Sequence, residues 1–184
     1  MSWQKLCTDK DRGGMGFRDI NAFNLAMLAK QEWRLIHGTQ SLFYRVYKAQ
    51  YFPSSTFSEA PLGHNPSFVW RSLLSARDVI IAGSKWKIGD GKCIGVITHK
   101  WLSHDPIFNG KPNPKLKVSD LMDADIRQWD RGKAYALFTA RTRNEILALS
   151  LNDTHARDSL IWMENKSRTF SVKTAYQVAL RLKQ

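Results

Sequence analysis

Lysines alternate with a tryptophan in the middle of the chain. Lys85, Trp86 and Lys87 precede a Gly-Asp-Gly turn, and two further lysines follow it. In an extended strand this alternation places the first two lysines on one face and the tryptophan on the other. Ammonium groups arranged in this way can contact nucleic-acid phosphates without reading the base sequence. We predict a phosphate-binding surface formed by Lys85, Lys87, Lys92 and Lys100.

A second basic cluster lies further along the chain and contains Arg141 and Arg143, with Arg131 and Lys133 upstream. We predict that Arg141 and Arg143 also contact phosphates, although the same pattern is typical of an ordinary solvated face. A tryptophan beside such a surface could stack on an unpaired base. For Trp86 and Trp101 we expect packing in the core instead.

Carboxylates, thiols and imidazoles form no recognisable catalytic pattern. Asp120, Asp123 and Asp125 lie close in sequence, but a two-metal site needs carboxylates from separate elements around ions about 4 Å apart. The single cysteine and two histidines between positions 93 and 104 lack the paired spacing of a zinc site. No nucleophile–base triad can be argued. We predict no catalytic residue, no metal site and no cofactor.

The composition indicates a folded, basic protein. The 28 Lys and Arg residues exceed the 16 Asp and Glu residues, which gives a formal net charge of +12. A field of this sign attracts polyanions, and nucleic acid is favoured over a membrane surface as the partner. No apolar run approaches about 20 residues, so no transmembrane helix is expected. A generically basic protein with no nucleic-acid role is the alternative.

Capping residues and apolar periodicity predict helices at about 20–37, 42–51 and 68–82. We expect one face of the first helix to pack inward, the face that carries Phe23, Ala26, Met27, Lys30, Trp33 and Arg34. Three tryptophans are predicted to belong to the core: Trp33, Trp70 and Trp86.

The spacing of the apolar residues changes from helical to alternating after residue 84. Alternation at 85–88, an Asp-Gly turn and the apolar run 93–97 predict a β-hairpin. Residues 103–117 carry three prolines and are predicted to form a loop. A strand at about 158–163 and a helix beginning after Ser171 complete the pattern. The predicted fold class is α+β, helix-rich, with one or two short β-hairpins.

Short motifs follow one another over most of the chain. They read Gly-Gly-Met-Gly-Phe-Arg-Asp at 13–19, Lys-Ala-Gln-Tyr-Phe-Pro at 48–53, Pro-Ser-Phe-Val-Trp-Arg-Ser-Leu-Leu at 66–74, Trp-Lys-Ile-Gly-Asp-Gly at 86–91, and Asp158, Trp162 and Phe-Ser-Val-Lys at 170–173. In this order they resemble the segment that follows the polymerase core in plant LINE-type (non-LTR) retrotransposon reverse transcriptases. One departure is His-Lys-Trp-Leu at 99–102, where that family has an acidic Asp-Pro-Trp-Leu.

The resemblance implies a non-catalytic segment that supports the polymerase and binds RNA or single-stranded DNA. Neither the paired aspartates of the polymerase nor the acidic set of its ribonuclease H has a counterpart here, so no enzymatic activity is expected. Other segments of a reverse transcriptase polyprotein would be its partners, without a membrane. The expected location is intracellular, in the nucleus or cytoplasm.

The resemblance also implies three regions. Residues 1–83 would form a helical post-polymerase region, 84–117 a basic hairpin with a proline-containing loop, and 118–184 a small α+β region truncated before a zinc-binding segment. The alternative from another class is a co-opted or degenerate protein-interaction module with no nucleic-acid role.

Overall fold

The structure is a computed structural model that describes residues 6–7, 10–123, 126–151 and 156–183. Asp125, one of the three neighbouring aspartates considered above, lies outside the described residues. The chain divides into two compact units. We call residues 1–83 with 164–184 the helical unit, and residues 84–163 the mixed unit.

The described helices and strands follow in chain order. The helices are α1 (Ile20–His37), α2 (Leu42–Tyr51), α3 (Phe68–Ser75), α4 (Arg77–Gly83), α5 (Arg131–Leu137), α6 (Ala140–Ala148) and α7 (Val172–Arg181). The strands are β1 (Ser84–Lys87) and β2 (Ser159–Trp162). This content confirms the predicted α+β, helix-rich class.

Side-chain caps begin five of these helices, and Asp130 caps α5 by accepting from the Lys133 N–H. Asp19, Ser41, Ser67 and Ser171 each accept a hydrogen bond from the backbone N–H three residues later, which satisfies a donor that a helix start would otherwise leave unpaired. The predicted starts are therefore confirmed. The prediction of one continuous helix over 68–82 was wrong, because the chain turns at the buried Ala76, whose N–H bonds to the Leu73 carbonyl at 3.0 Å.

Small residues join α1 to α7 in the helical unit. The buried positions of α1 include Ala22, Ala26 and Ala29, and those of α7 include Ala175 and Ala179. Alanines allow two helix backbones to approach closely, since little side chain separates them. The predicted inward face of α1 was wrong in part: Ala26 is buried, but Phe23 is 39% and Met27 40% exposed.

Contacts at both ends show that α1 and α7 run antiparallel. The Asp19 carboxylate binds the Lys183 ammonium at 2.7 Å, so the start of α1 lies at the end of α7. At the opposite end Trp33 stacks on Phe170 with ring centroids 5.4 Å apart. Trp33 is only half-buried, so its predicted core position holds in part.

Trp70 is the centre of the helical unit's aromatic core and is fully buried, as predicted. Tyr51 stacks on it with a centroid distance of 4.5 Å and an interplanar angle of 5°. Phe52 stacks at 5.8 Å, and Phe57 meets it edge-on at 5.8 Å. Aromatic pairs at these separations contribute beyond the area that they bury.

In the mixed unit, β1 pairs antiparallel with β2, with Ser84 opposite Trp162 and Lys87 opposite Ser159. The predicted hairpin of residues 85–97 was therefore wrong, because β1 takes its partner from a distant part of the chain. The core of this unit includes the buried Trp101, and the half-buried Trp86 packs against it.

The predicted third region, 118–184, is divided between the two units. Residues after 163 group with the helical unit because α7 packs on α1 and α4. None of the described helices is long and apolar enough to cross a membrane.

Candidate nucleic-acid interface

Strand β1 positions two of the predicted lysines. Lys85 and Lys87 share one face, with Lys87 exposed and Lys85 half-buried, while Trp86 packs on the core from the other face. The N–H of Trp86 donates to the carbonyl of Lys100 at 2.8 Å, so this exposed lysine lies beside the strand. The structure therefore brings Lys85, Lys87 and Lys100 together along β1.

The fourth lysine lies in a loop held by a carboxylate. Oδ1 of Asp158 accepts hydrogen bonds from the N–H groups of Gly89 at 2.8 Å and Gly91 at 2.9 Å, and Oδ2 accepts from Cys93 at 2.8 Å. Gly91 has a φ of +70°, which favours glycine. This loop presents Lys92, which is exposed. We call Lys85, Lys87, Lys92 and Lys100 the lysine surface.

Helix α6 carries Arg141 and a carboxylate, Glu145, that interacts with the lysine surface. Arg141 is exposed and lies one turn from Glu145. Burial raises the pKa of Glu145, but hydrogen bonds from Ser103 and the charges of His104 and Lys85 outweigh burial and lower the pKa overall. The Glu145 carboxylate therefore partly neutralises the charge of Lys85. This reduces the attraction of Lys85 for a phosphate.

Arg143 occupies a different environment from Arg141. Its guanidinium lies over the ring of Tyr135, 4.0 Å from the centroid, an arrangement that stabilises a cation against an aromatic face. Its Nε atom is buried without a hydrogen-bond partner. Arg143 thus has a packing role that the sequence did not indicate, and its contact with phosphate stays a prediction.

Acidic and nucleophilic side chains near this surface serve the backbone and one another. The carboxylates of Asp120 and Asp123 accept hydrogen bonds from nearby N–H groups at 2.9 and 3.3 Å. Ser103 Oγ donates to Glu145 at 2.7 Å, and His104 Nδ1 contacts the same carboxylate at 2.7 Å. His104 Nε2 also lies 3.3 Å from Oγ1 of the buried Thr142, and that hydroxyl accepts from the Ile107 N–H at 3.0 Å. Within the described ranges, no group of three His, Cys, Asp or Glu residues could hold a metal ion.

A groove in the mixed unit was not predicted. Trp129 lies between Arg127 and Arg131 in sequence, and all three line a cavity of about 260 Å³. The signal that could have revealed it is the interleaving of an aromatic with basic residues at 127–131.

Comparison with known proteins gives two plant relatives. The chain is 43% identical over 103 residues to the uncharacterized mitochondrial protein AtMg00310 of Arabidopsis thaliana, which covers 55% of this chain and 67% of that protein. It is 33% identical over 187 residues to the putative ribonuclease H protein At1g65750 of the same plant, which covers 97% of this chain and 30% of that protein. The chain therefore spans less than a third of the second relative.

No family model matches the chain, and no solved structure matches it. The first relative is similar over two thirds of its own length. The chain therefore belongs to the plant protein family that includes the Arabidopsis mitochondrial protein AtMg00310.

Proposed function

We propose that the chain is a non-catalytic segment of a plant LINE-type (non-LTR) retrotransposon reverse transcriptase. Ordered motifs from residue 13 to residue 173 support this origin. So does the similarity of nearly the whole chain to part of a longer protein whose name includes ribonuclease H. The segment would support the polymerase and hold its template and primer.

The biochemical role that the geometry supports best is non-specific binding of RNA or single-stranded DNA through phosphates. One observation carries it: Lys85 and Lys87 share a face of β1, with Lys100 beside that strand. A net charge of +12 adds a long-range attraction for polyanions. Contacts with phosphates alone give affinity without sequence preference.

The proposed segment performs no polymerase, endonuclease or ribonuclease H chemistry. The carboxylates of Asp120 and Asp123 accept hydrogen bonds from backbone N–H groups, and among the described residues no group of three His, Cys, Asp or Glu residues could hold a metal ion. Magnesium-dependent primer extension by the purified protein, abolished by an Asp→Ala change, would contradict this part of the proposal.

Salt dependence tests the binding role directly. Each phosphate contact on a single strand lowers the log–log slope of affinity against salt by about 0.7, so four contacts give a slope near −3. We expect the change of all four surface lysines to Gln to flatten this slope. The matched control removes four exposed cations of the helical unit and should keep the salt slope of the wild type. Its changes are Lys30→Gln, Arg71→Gln, Lys166→Gln and Lys173→Gln.

Exposed apolar side chains favour a second candidate, a protein-interaction module. Phe68 is 82%, Leu42 73% and Ile20 60% exposed, all in the helical unit. A contiguous patch of such groups would be typical of a surface that binds another protein. If the wild-type chain shows no salt-sensitive binding to RNA or single-stranded DNA, this second function replaces the first.

A further inference from the structure

The groove in the mixed unit combines positive charge with an aromatic wall. Arg127, Trp129 and Arg131 line it together with leucines of α6 and of the segment that follows α6. Its volume of about 260 Å³ is below the roughly 300–1,000 Å³ of pockets for drug-sized ligands. The groove is therefore sized for one flat ring system rather than for a larger ligand.

The indole that lines the groove is fixed in place. Its Nε1–H donates to the Leu149 carbonyl at 2.7 Å, and its ring stacks on Trp101 with centroids 6.2 Å apart. The backbone of Trp129 also pairs with Met122. Because the ring is already fixed, a ligand that stacks on it does not have to order the protein. Little free energy is lost to such ordering, so more of the contact energy appears as affinity.

The charge of the groove selects an anion. Among the described residues that line the groove, none is acidic. The neighbouring Asp130 is engaged elsewhere, since its carboxylate accepts from the Lys133 N–H at 3.0 Å and lies 3.5 Å from the Lys133 ammonium. Within the described part of the chain, the Arg131 guanidinium forms no ion pair. A planar group attached to a phosphate fits these properties.

One hydrogen bond connects the groove with the lysine surface. Arg127 Nη2 donates to the carbonyl of Gly89 at 3.3 Å, and Gly89 lies in the loop between Lys87 and Lys92. The loop that presents Lys92 therefore contacts a residue that lines the groove. We propose that the groove takes an unpaired nucleobase of a single-stranded nucleic acid, stacked on Trp129 with its phosphate on Arg131. This inference rests on the proposed function.

The test compares two polymers of equal charge. One is an oligothymidylate of about 12 nucleotides, a length within the ~4–16 nucleotides of known single-strand sites, and the other is an abasic oligomer of the same length. Fluorescence anisotropy of labelled strands gives both affinities for the full chain. Base stacking on an aromatic predicts that the thymidylate binds about tenfold tighter.

Two groove variants locate the effect. Trp129→Leu and Leu151→Glu should each bring the ratio of the two affinities close to one, and Lys173→Gln in the helical unit should leave it unchanged. Circular dichroism checks folding, and Leu151→Glu serves if Trp129→Leu does not fold. A ratio that persists in a folded groove variant overturns the inference.

Measurements on the wild-type protein alone distinguish the groove proposal from the phosphate-binding proposal. Salt-sensitive binding to both polymers with equal affinity overturns the groove and leaves the phosphate-binding function standing. Failure to bind either polymer overturns both.

Discussion

Glu32 gives the sharpest prediction for stability. This residue of α1 is fully buried, and neither of its carboxyl oxygens has a hydrogen-bond partner. Burial raises its pKa from 4.5 to about 9, although the charge of Arg77 acts to lower it. The folded protein therefore keeps a proton on Glu32 at neutral pH, which the unfolded chain releases.

The sign and size of the effect follow from proton linkage. Between the unfolded pKa of 4.5 and the folded pKa of about 9, the folded state binds more protons, so stability is full below 4.5 and falls as pH rises. The slope is about 1.36 kcal/mol per pH unit, or about 2.7 kcal/mol over two units. That is a large part of the 5–15 kcal/mol that stabilises a typical protein.

Glu32→Gln removes the titration while keeping the shape of the side chain. We expect the stability of the variant relative to wild type to rise by about 2.7 kcal/mol between about pH 5.5 and 7.5. Urea unfolding at several pH values, with circular dichroism as the signal and equal m-values as a check, measures this difference. Parallel pH profiles of the two proteins would refute the reasoning.

Glu145 offers a control of opposite sign. Burial alone would raise its pKa, but hydrogen bonds from Ser103 and the charges of His104 and Lys85 lower it overall. The stability that it contributes is therefore present above the unfolded pKa and is lost as pH falls through the folded pKa. Glu145→Gln should be less stable than wild type near neutral pH and should converge with it in acid.

Three further substitutions test the packing of the two units by chemical unfolding. Asp158→Asn replaces an acceptor of three backbone hydrogen bonds, and we expect a loss of about 2–4 kcal/mol. Gly89→Ala should destabilise the mixed unit because its Cβ would collide with the backbone just before Asp158, whereas Gly110→Ala, which meets open space, should be tolerated. Trp70→Ala should cost about 3–5 kcal/mol, whereas the exposed Phe68→Ala should stay within about 0.5 kcal/mol. Equal losses of stability for Gly89→Ala and Gly110→Ala, or for Trp70→Ala and Phe68→Ala, would contradict these assignments.

Helix starts could be predicted because their causes are local. Ser41, Ser67 and Ser171 bond to N–H groups three residues away, so the information lies within one turn of sequence. The inward face of α1 could be predicted only in part, because it depends on a neighbour. Helix α7 packs on α1 from the far end of the chain, and its alanines favour the small residues of α1 over Phe23 and Met27.

The hairpin prediction failed for a non-local reason of the same kind. Asp-Gly at 90–91 is a strong local signal for a tight turn, but the N–H groups of Gly89, Gly91 and Cys93 point at the Asp158 carboxylate. Two sequence motifs, at 86–91 and at 158–162, thus meet as a strand pair with a carboxylate-held loop. Their distance along the chain concealed a contact that neither motif reveals alone.

The lysine surface remains although the predicted partner of its strand was wrong. Alternation is a property of the extended backbone itself, so Lys85 and Lys87 share a face whether β1 pairs with residues 93–97 or with β2. What the strand partner decides is the surroundings of that face. Pairing with β2 leaves the loop after β1 to be held by Asp158 and joined to Arg127, and this brings the lysines next to the Trp129 groove. A hairpin of residues 85–97 would have carried the same lysines without the groove beside them. On the binding that we propose, the base-dependent part would therefore be the property that depends on the non-local fold.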